Sequence, residues 1–83
     1  MEIKLYQRED GKVPFDLWLR TLRDRRAKSK ILIRLDRILL GNFGDAKSVG
    51  EGMSELRINE GKGYRLYYGR EGKEIVILLC GGG

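Results

Sequence analysis

The hydrophobic period changes near the middle of the chain, and that change does most to limit how it can fold. Between Pro14 and Gly41 the apolar residues recur at helical spacing. From Met53 onward they recur at every second position. Phe15, Trp18, Leu19 and Leu22 stand at i, i+3, i+4 and i+7, which is one face of a helix. Pro14 suits the first position of that helix, where no amide donor is needed, and Asp16 lies in the first turn, where the helix dipole favours an anion. A second helix is expected after Asp24, a residue type that caps orphan amides. Ala27, Ile31, Leu35 and Ile38 form its apolar row, thickened by Leu32 and Leu39, and Gly41 suits its C-terminal stop.

The remainder alternates. Residues 2–8 place Ile3 and Leu5 on one face and Lys4 and Tyr6 on the other, a half-buried strand. Residues 41–52 hold four glycines and are expected to form a long loop. In Glu55-Leu56-Arg57-Ile58 and in Tyr64-Arg65-Leu66-Tyr67-Tyr68 apolar and polar positions take turns. Residues 59–63 and 70–73 read as hairpin loops between strands. Ile75 to Cys80 is continuously apolar, as in a strand covered on both faces.

The expected order is therefore β-α-α-β-β-β, an α+β sandwich. Two N-terminal helices pack on one face of a mainly antiparallel four-stranded sheet, with the first strand beside the last three. Residues 1–83 make one domain, since a second has no room. A chain this short buries only about 60% of its unfolded surface, so its core is thin. At 41% hydrophobic residues it is nonetheless rich enough to fold.

Composition removes several chemistries. There is no histidine, and Cys80 is the single cysteine, which excludes a Ser-His-Asp triad, the usual zinc sites and an internal disulfide framework. No metal or cofactor is expected. No apolar run reaches the length of a membrane span and Met1-Glu2-Ile3-Lys4 does not open a secretory signal, so a cytoplasmic location without membrane contact is expected.

The net charge of +5 is unevenly placed. Residues 1–41 carry 11 Lys/Arg against 6 Asp/Glu, while residues 42–83 carry 6 of each. Arg26, Lys30, Arg34 and Arg37 belong to a basic run on the second helix. Such a run attracts polyanions, RNA among them; a plain solvated helix face is the competing reading.

Strand parity marks a second cluster. If Leu56, Ile58, Leu66 and Tyr68 face the helices, then Glu55, Arg57, Arg65 and Tyr67 converge on the opposite, open face. Two guanidiniums suit a phosphate, the phenol can stack on a base, and Lys47 of the preceding loop adds a cation. Ordinary cross-strand pairing on a solvated sheet is the alternative.

Six segments then fall in a familiar order: Pro14-Phe15-Asp16 with Trp18, Gly41-Asn42-Phe43-Gly44-Asp45, Val49-Gly50-Glu51-Gly52, Glu55-Leu56-Arg57-Ile58, Gly63-Tyr64-Arg65-Leu66-Tyr67, and Leu78-Leu79-Cys80-Gly81-Gly82. This pattern resembles the RelE/ParE superfamily of bacterial toxins, in its HigB-like addiction module killer branch, over nearly the whole chain. The resemblance implies a RelE-like fold and the toxin role of a type II toxin–antitoxin system. The implied activity is metal-independent cleavage of mRNA in the ribosomal A site by attack of a ribose 2′-OH on the adjacent phosphate. It also implies a cognate antitoxin, usually a helix-turn-helix protein, through which the toxin–antitoxin complex binds operator DNA.

Carried over position by position, Arg65 falls on the arginine that stabilises the reacting phosphate, and Arg57 on a basic position of the preceding strand. Glu55 stands where the best-known members carry a lysine, so the implied base is a carboxylate, and Tyr67 would stack on the substrate base. The basic second helix would contact ribosomal RNA. Relatives continue past Cys80-Gly81-Gly82 with an acidic–basic pair and a helix, where this chain has Gly83. From this departure a catalytically weakened toxin is expected, one that keeps its fold and still binds its antitoxin or RNA. A ParE-like DNA gyrase poison without nuclease activity is the other reading within the superfamily.

Overall fold

A computed structural model describes residues 1–61 and 63–82. Lys62 of the expected 59–63 hairpin loop, Gly83 and the side chain of Leu79 lie outside the described residues. The elements follow as β1 (Glu2–Leu5), α1 (Pro14–Thr21), α2 (Arg25–Leu39), β2 (Ala46–Gly50), β3 (Met53–Ile58), β4 (Tyr64–Glu71) and β5 (Glu74–Gly82).

The strands form one sheet in the order β1-β5-β4-β3-β2. β1 runs parallel to β5, and the other neighbours are antiparallel. The expected layout of two N-terminal helices on a mainly antiparallel four-stranded sheet is thereby corrected. The sheet is mixed and has five strands, and the helices lie mid-chain between β1 and β2. β1 is separated from its parallel neighbour β5 by both helices and three strands, a connection long enough for a pairing that no tight hairpin can make. The additional strand, β2, lies in the stretch expected to be a loop. Its sequence is Ala-Lys-Ser-Val-Gly, with Val49 exposed on the sheet's edge, so it carries no buried alternation to betray it. It turns into β3 through Gly50, Glu51 and Gly52, all at positive φ.

The helix ends form as their residues dictate. Asp24 accepts from the amides of Arg26 and Ala27 at 3.0 and 3.1 Å, capping α2. At the other end Gly41 takes φ +82, its amide donates to the Ile38 carbonyl, and the Asn42 amide donates to the Arg37 carbonyl. That pair of bonds is a Schellman stop, and the positive φ favours glycine there.

The core lies between the helices and one sheet face. Leu56 and Ile58 of β3, Leu66 and Tyr68 of β4, and Ile75 and Ile77 of β5 meet Phe15, Ile31 and Ile38 from the helices. α2 presents Ala27, Ile31 and Ile38 to the sheet, while Leu32 and Leu39 remain 45% and 42% exposed. Half-buried Leu35 packs against that core as expected, and half-buried Arg34 stands beside it between Ile31 and Ile38, in line with the apolar residues. Trp18 meets Tyr64 edge to face, and the Phe43 ring stacks on the Tyr68 ring and also meets the Arg70 guanidinium.

The apolar run of β5 has a local cause. Its register against β4 slips between Tyr67 and Tyr68, so Tyr67 opposes Leu79 and Tyr68 opposes Ile77. The extra residue, Leu78, lets both Ile77 and Cys80 point into the core although they are three apart. Among the described residues no helix is long and apolar enough to cross a membrane.

Candidate functional site

The open face is built by β2, β3 and β4. Leu56, Ile58, Leu66 and Tyr68 are all buried, so alternation turns Glu55, Arg57, Arg65 and Tyr67 to the other side of the sheet. The register brings them together: Arg57 lies directly across from Arg65, and Glu55 lies between Tyr67 on β4 and Lys47 on β2.

Two like charges opposite one another in a sheet repel, and this pair needs a counterion. Glu55 supplies it. One of its oxygens, Oε1, accepts from Arg57 Nε at 3.3 Å and lies 3.4 Å from Arg65 Nε. Glu55 is only 6% exposed, while the two arginine side chains are 47% and 57% exposed. The carboxylate thus sits at the floor of the cluster, and the guanidiniums rise from it toward solvent. Counting Lys47, the cluster has three cations and one carboxylate, a net charge of +2. A guanidinium has five donors in a fixed fork, so Nε contact with Glu55 leaves other N–H groups to meet an anion. On β5 the residue facing Arg65 is Gly81, and a Cβ there would meet nothing within 4 Å. Among the described residues, the flank of Arg65 is open.

The four basic residues expected on α2 separate into different roles. Arg26 and Arg37 are exposed. Lys30 pairs with Glu60 at 3.0 Å across to the β3–β4 turn. Lys30, Ile33, Arg34 and Arg37 line a shallow groove of about 280 Å³ with Ile58 and Asn59. Arg34 is turned inward: Nη1 donates to the Arg57 carbonyl and Nη2 to the Phe43 carbonyl, both at 3.1 Å. The helix residues belong to the sheet's covered side, so α2 and the open-face cluster are separate surfaces joined at the β3 backbone. Sequence reading took Arg34 for a surface cation. The signal that reveals it is its place three residues after Ile31 and four before Ile38, within the inward row.

Among the described residues, no three His, Cys, Asp or Glu side chains gather as metal ligands. Cys80 is buried in the core, where desolvation of the thiolate pushes its pKa up to about 12. It is a packing residue, not a nucleophile.

An uncharacterized protein of Haemophilus influenzae is 56% identical to this chain over 68 residues, covering 82% of the chain and 69% of the relative. The chain belongs to that protein's family. No protein-family model matches the chain.

Proposed function

We propose that this chain is the toxin of a type II toxin–antitoxin system and acts as a ribosome-dependent mRNA endonuclease. One observation carries the reading: a nearly buried carboxylate, Glu55, held between the guanidiniums of Arg57 and Arg65 on the sheet face opposite α1 and α2. The resemblance to RelE/ParE toxins supports it. A phosphodiester entering this face meets two cations that stay charged at any working pH, with a proton acceptor between them. The ribose 2′-OH attacks the adjacent phosphorus and its proton passes to Glu55. The bond to the 5′-oxygen breaks, and the leaving oxygen takes a proton from solvent. The products are a 2′,3′-cyclic phosphate and a 5′-hydroxyl. Arg65 and Arg57 offset the charge that builds on the phosphoryl oxygens, and Tyr67 and Lys47 flank the base and backbone. Arg26, Lys30 and Arg37 on α2 give the ribosome-facing surface, whose affinity falls as salt rises. The reading places the protein in the cytoplasm, restrained by a helix-turn-helix antitoxin that brings the complex to operator DNA.

Primer extension on a defined mRNA in a purified translation system tests this, with and without ribosomes. Cuts that require ribosomes and disappear in Arg65→Ala support the endonuclease. An uncut message, together with inhibition of DNA supercoiling by gyrase, overturns it in favour of a gyrase poison.

A further inference from the structure

Arg34 joins the basic helix to the back of the proposed site. Its two terminal nitrogens reach two different backbone carbonyls, those of Arg57 on β3 and Phe43 in the loop before β2. The Arg57 amide is fixed separately, donating to the Asp45 carbonyl at 3.0 Å. Both backbone polar groups of Arg57 are thus tied to the 43–45 loop, one directly and one through Arg34. Two residues beyond Asp45 stands Lys47, in register with Glu55. Gly44 completes the clamp. A Cβ on it would lie 2.7 Å from Arg34 Nη2 and 3.3 Å from Cζ, and its φ is +67. A side chain there must push the guanidinium aside from this position.

We infer that Arg34 and Gly44 are positioning residues for the open-face cluster: the Arg34 fork, admitted by the bare Cα of Gly44, sets where β3 presents the Arg57 guanidinium. The inference rests on the endonuclease reading for its catalytic consequence, but not for its geometry. A planar fork is needed, because the two carbonyls lie on different segments and each takes one nitrogen. An ammonium at this place serves as a single point and leaves the other carbonyl without its donor.

The test compares wild type with Arg34→Lys and Gly44→Ala, each normalised to the folded fraction by circular dichroism. Ribosome-dependent cleavage is expected to lose about 10-fold or more in kcat, with KM changed less than about 2-fold, since small displacements at a reacting centre are costly while binding is spread over the surface. In parallel, the Nε–Hε NMR signal of Arg57 is followed during titration with inorganic phosphate. Both variants should shift that signal in the free protein and weaken its response to phosphate. Unchanged kcat per folded molecule in active protein overturns the inference, because a merely structural arginine alters only the folded fraction. If wild type does not cleave, the endonuclease reading has failed and the NMR arm decides alone. A displaced Arg57 signal then upholds the clamp, and an unmoved one overturns it.

Discussion

The same two strands, β3 and β4, present two opposite solutions on their two faces. On the covered face, Leu56 and Leu66 oppose each other and are fully buried beneath the helices. On the open face, one position away, Arg57 and Arg65 oppose each other and are about half exposed. The first pair is held by exclusion of water and close packing, which carry no charge to be screened and no preferred direction. The second is held by a shared carboxylate that neutralises only part of the charge gathered there. The covered face therefore sets stability, and the open face keeps charge free to meet an anion.

Truncation on the covered face should have the largest effect on folding. Leu66→Ala removes a fully buried side chain from the centre of the sheet and is expected to cost about 2–5 kcal/mol, read as a shift in urea midpoint. In a small domain that is enough to populate the unfolded state at room temperature. Its neighbour gives the contrast. Arg65→Ala should change stability by no more than about 1 kcal/mol, because the Arg65 side chain is more than half exposed and Arg57 remains to pair with the Glu55 carboxylate, while lowering cleavage by about 100-fold or more. Equal stability losses from the two would show that the faces are not divided in this way.

Glu55→Gln sharpens the contrast further. It keeps shape but removes the counterion, so two opposed guanidiniums repel, at a cost of about 1 kcal/mol. Because the open face then carries more positive charge, inorganic phosphate should raise the melting temperature of Glu55→Gln more than that of wild type. Equal shifts would mean that Glu55 does not hold back the charge of the arginines.

A smaller effect belongs to the core thiol. The Cys80 pKa rises from 9.0 to about 12 on folding because burial penalises the thiolate. Above pH 9 the unfolded chain releases this proton while the folded chain keeps it. The contribution of Cys80 to stability therefore falls as pH climbs from about 9 to 12. Cys80→Ala should show a shallower alkaline decline in melting temperature than wild type; equal slopes would refute the assignment. Smallest of all, Lys4→Gln breaks the exposed pair with Glu74 at 2.9 Å, and no measurable change in the urea midpoint is expected.

Much of the site was legible because β-strand alternation is a short-range rule. The apolar residues of β3 and β4 announced which way Glu55, Arg57, Arg65 and Tyr67 point, and both the Asp24 cap and the Gly41 stop could be read from residue type. What escaped depends on long-range partners. β2 has no apolar alternation, and its strand character comes from pairing with β3 at the sheet's edge. Leu78 hides its bulge in an unbroken apolar run, since a parity switch leaves no trace when both faces are hydrophobic. Arg34 looked like one cation among several, and only the carbonyls of Phe43 and Arg57 distinguish it from its neighbours. The parallel seating of β1 was likewise invisible, because Ile3 and Leu5 fit either direction of pairing.

That parallel seam sets an order of events during synthesis. Glu2 to Leu5 leave the ribosome well before their partners, Glu74 to Ile77, have been made. β5 also stands between β1 and β4, so β1 cannot join the sheet until β5 has arrived. Contacts so distant in sequence form late in folding. The nascent chain thus carries β1 unpaired while both helices and the next three strands are made, and the sheet closes only once β5 is free to insert.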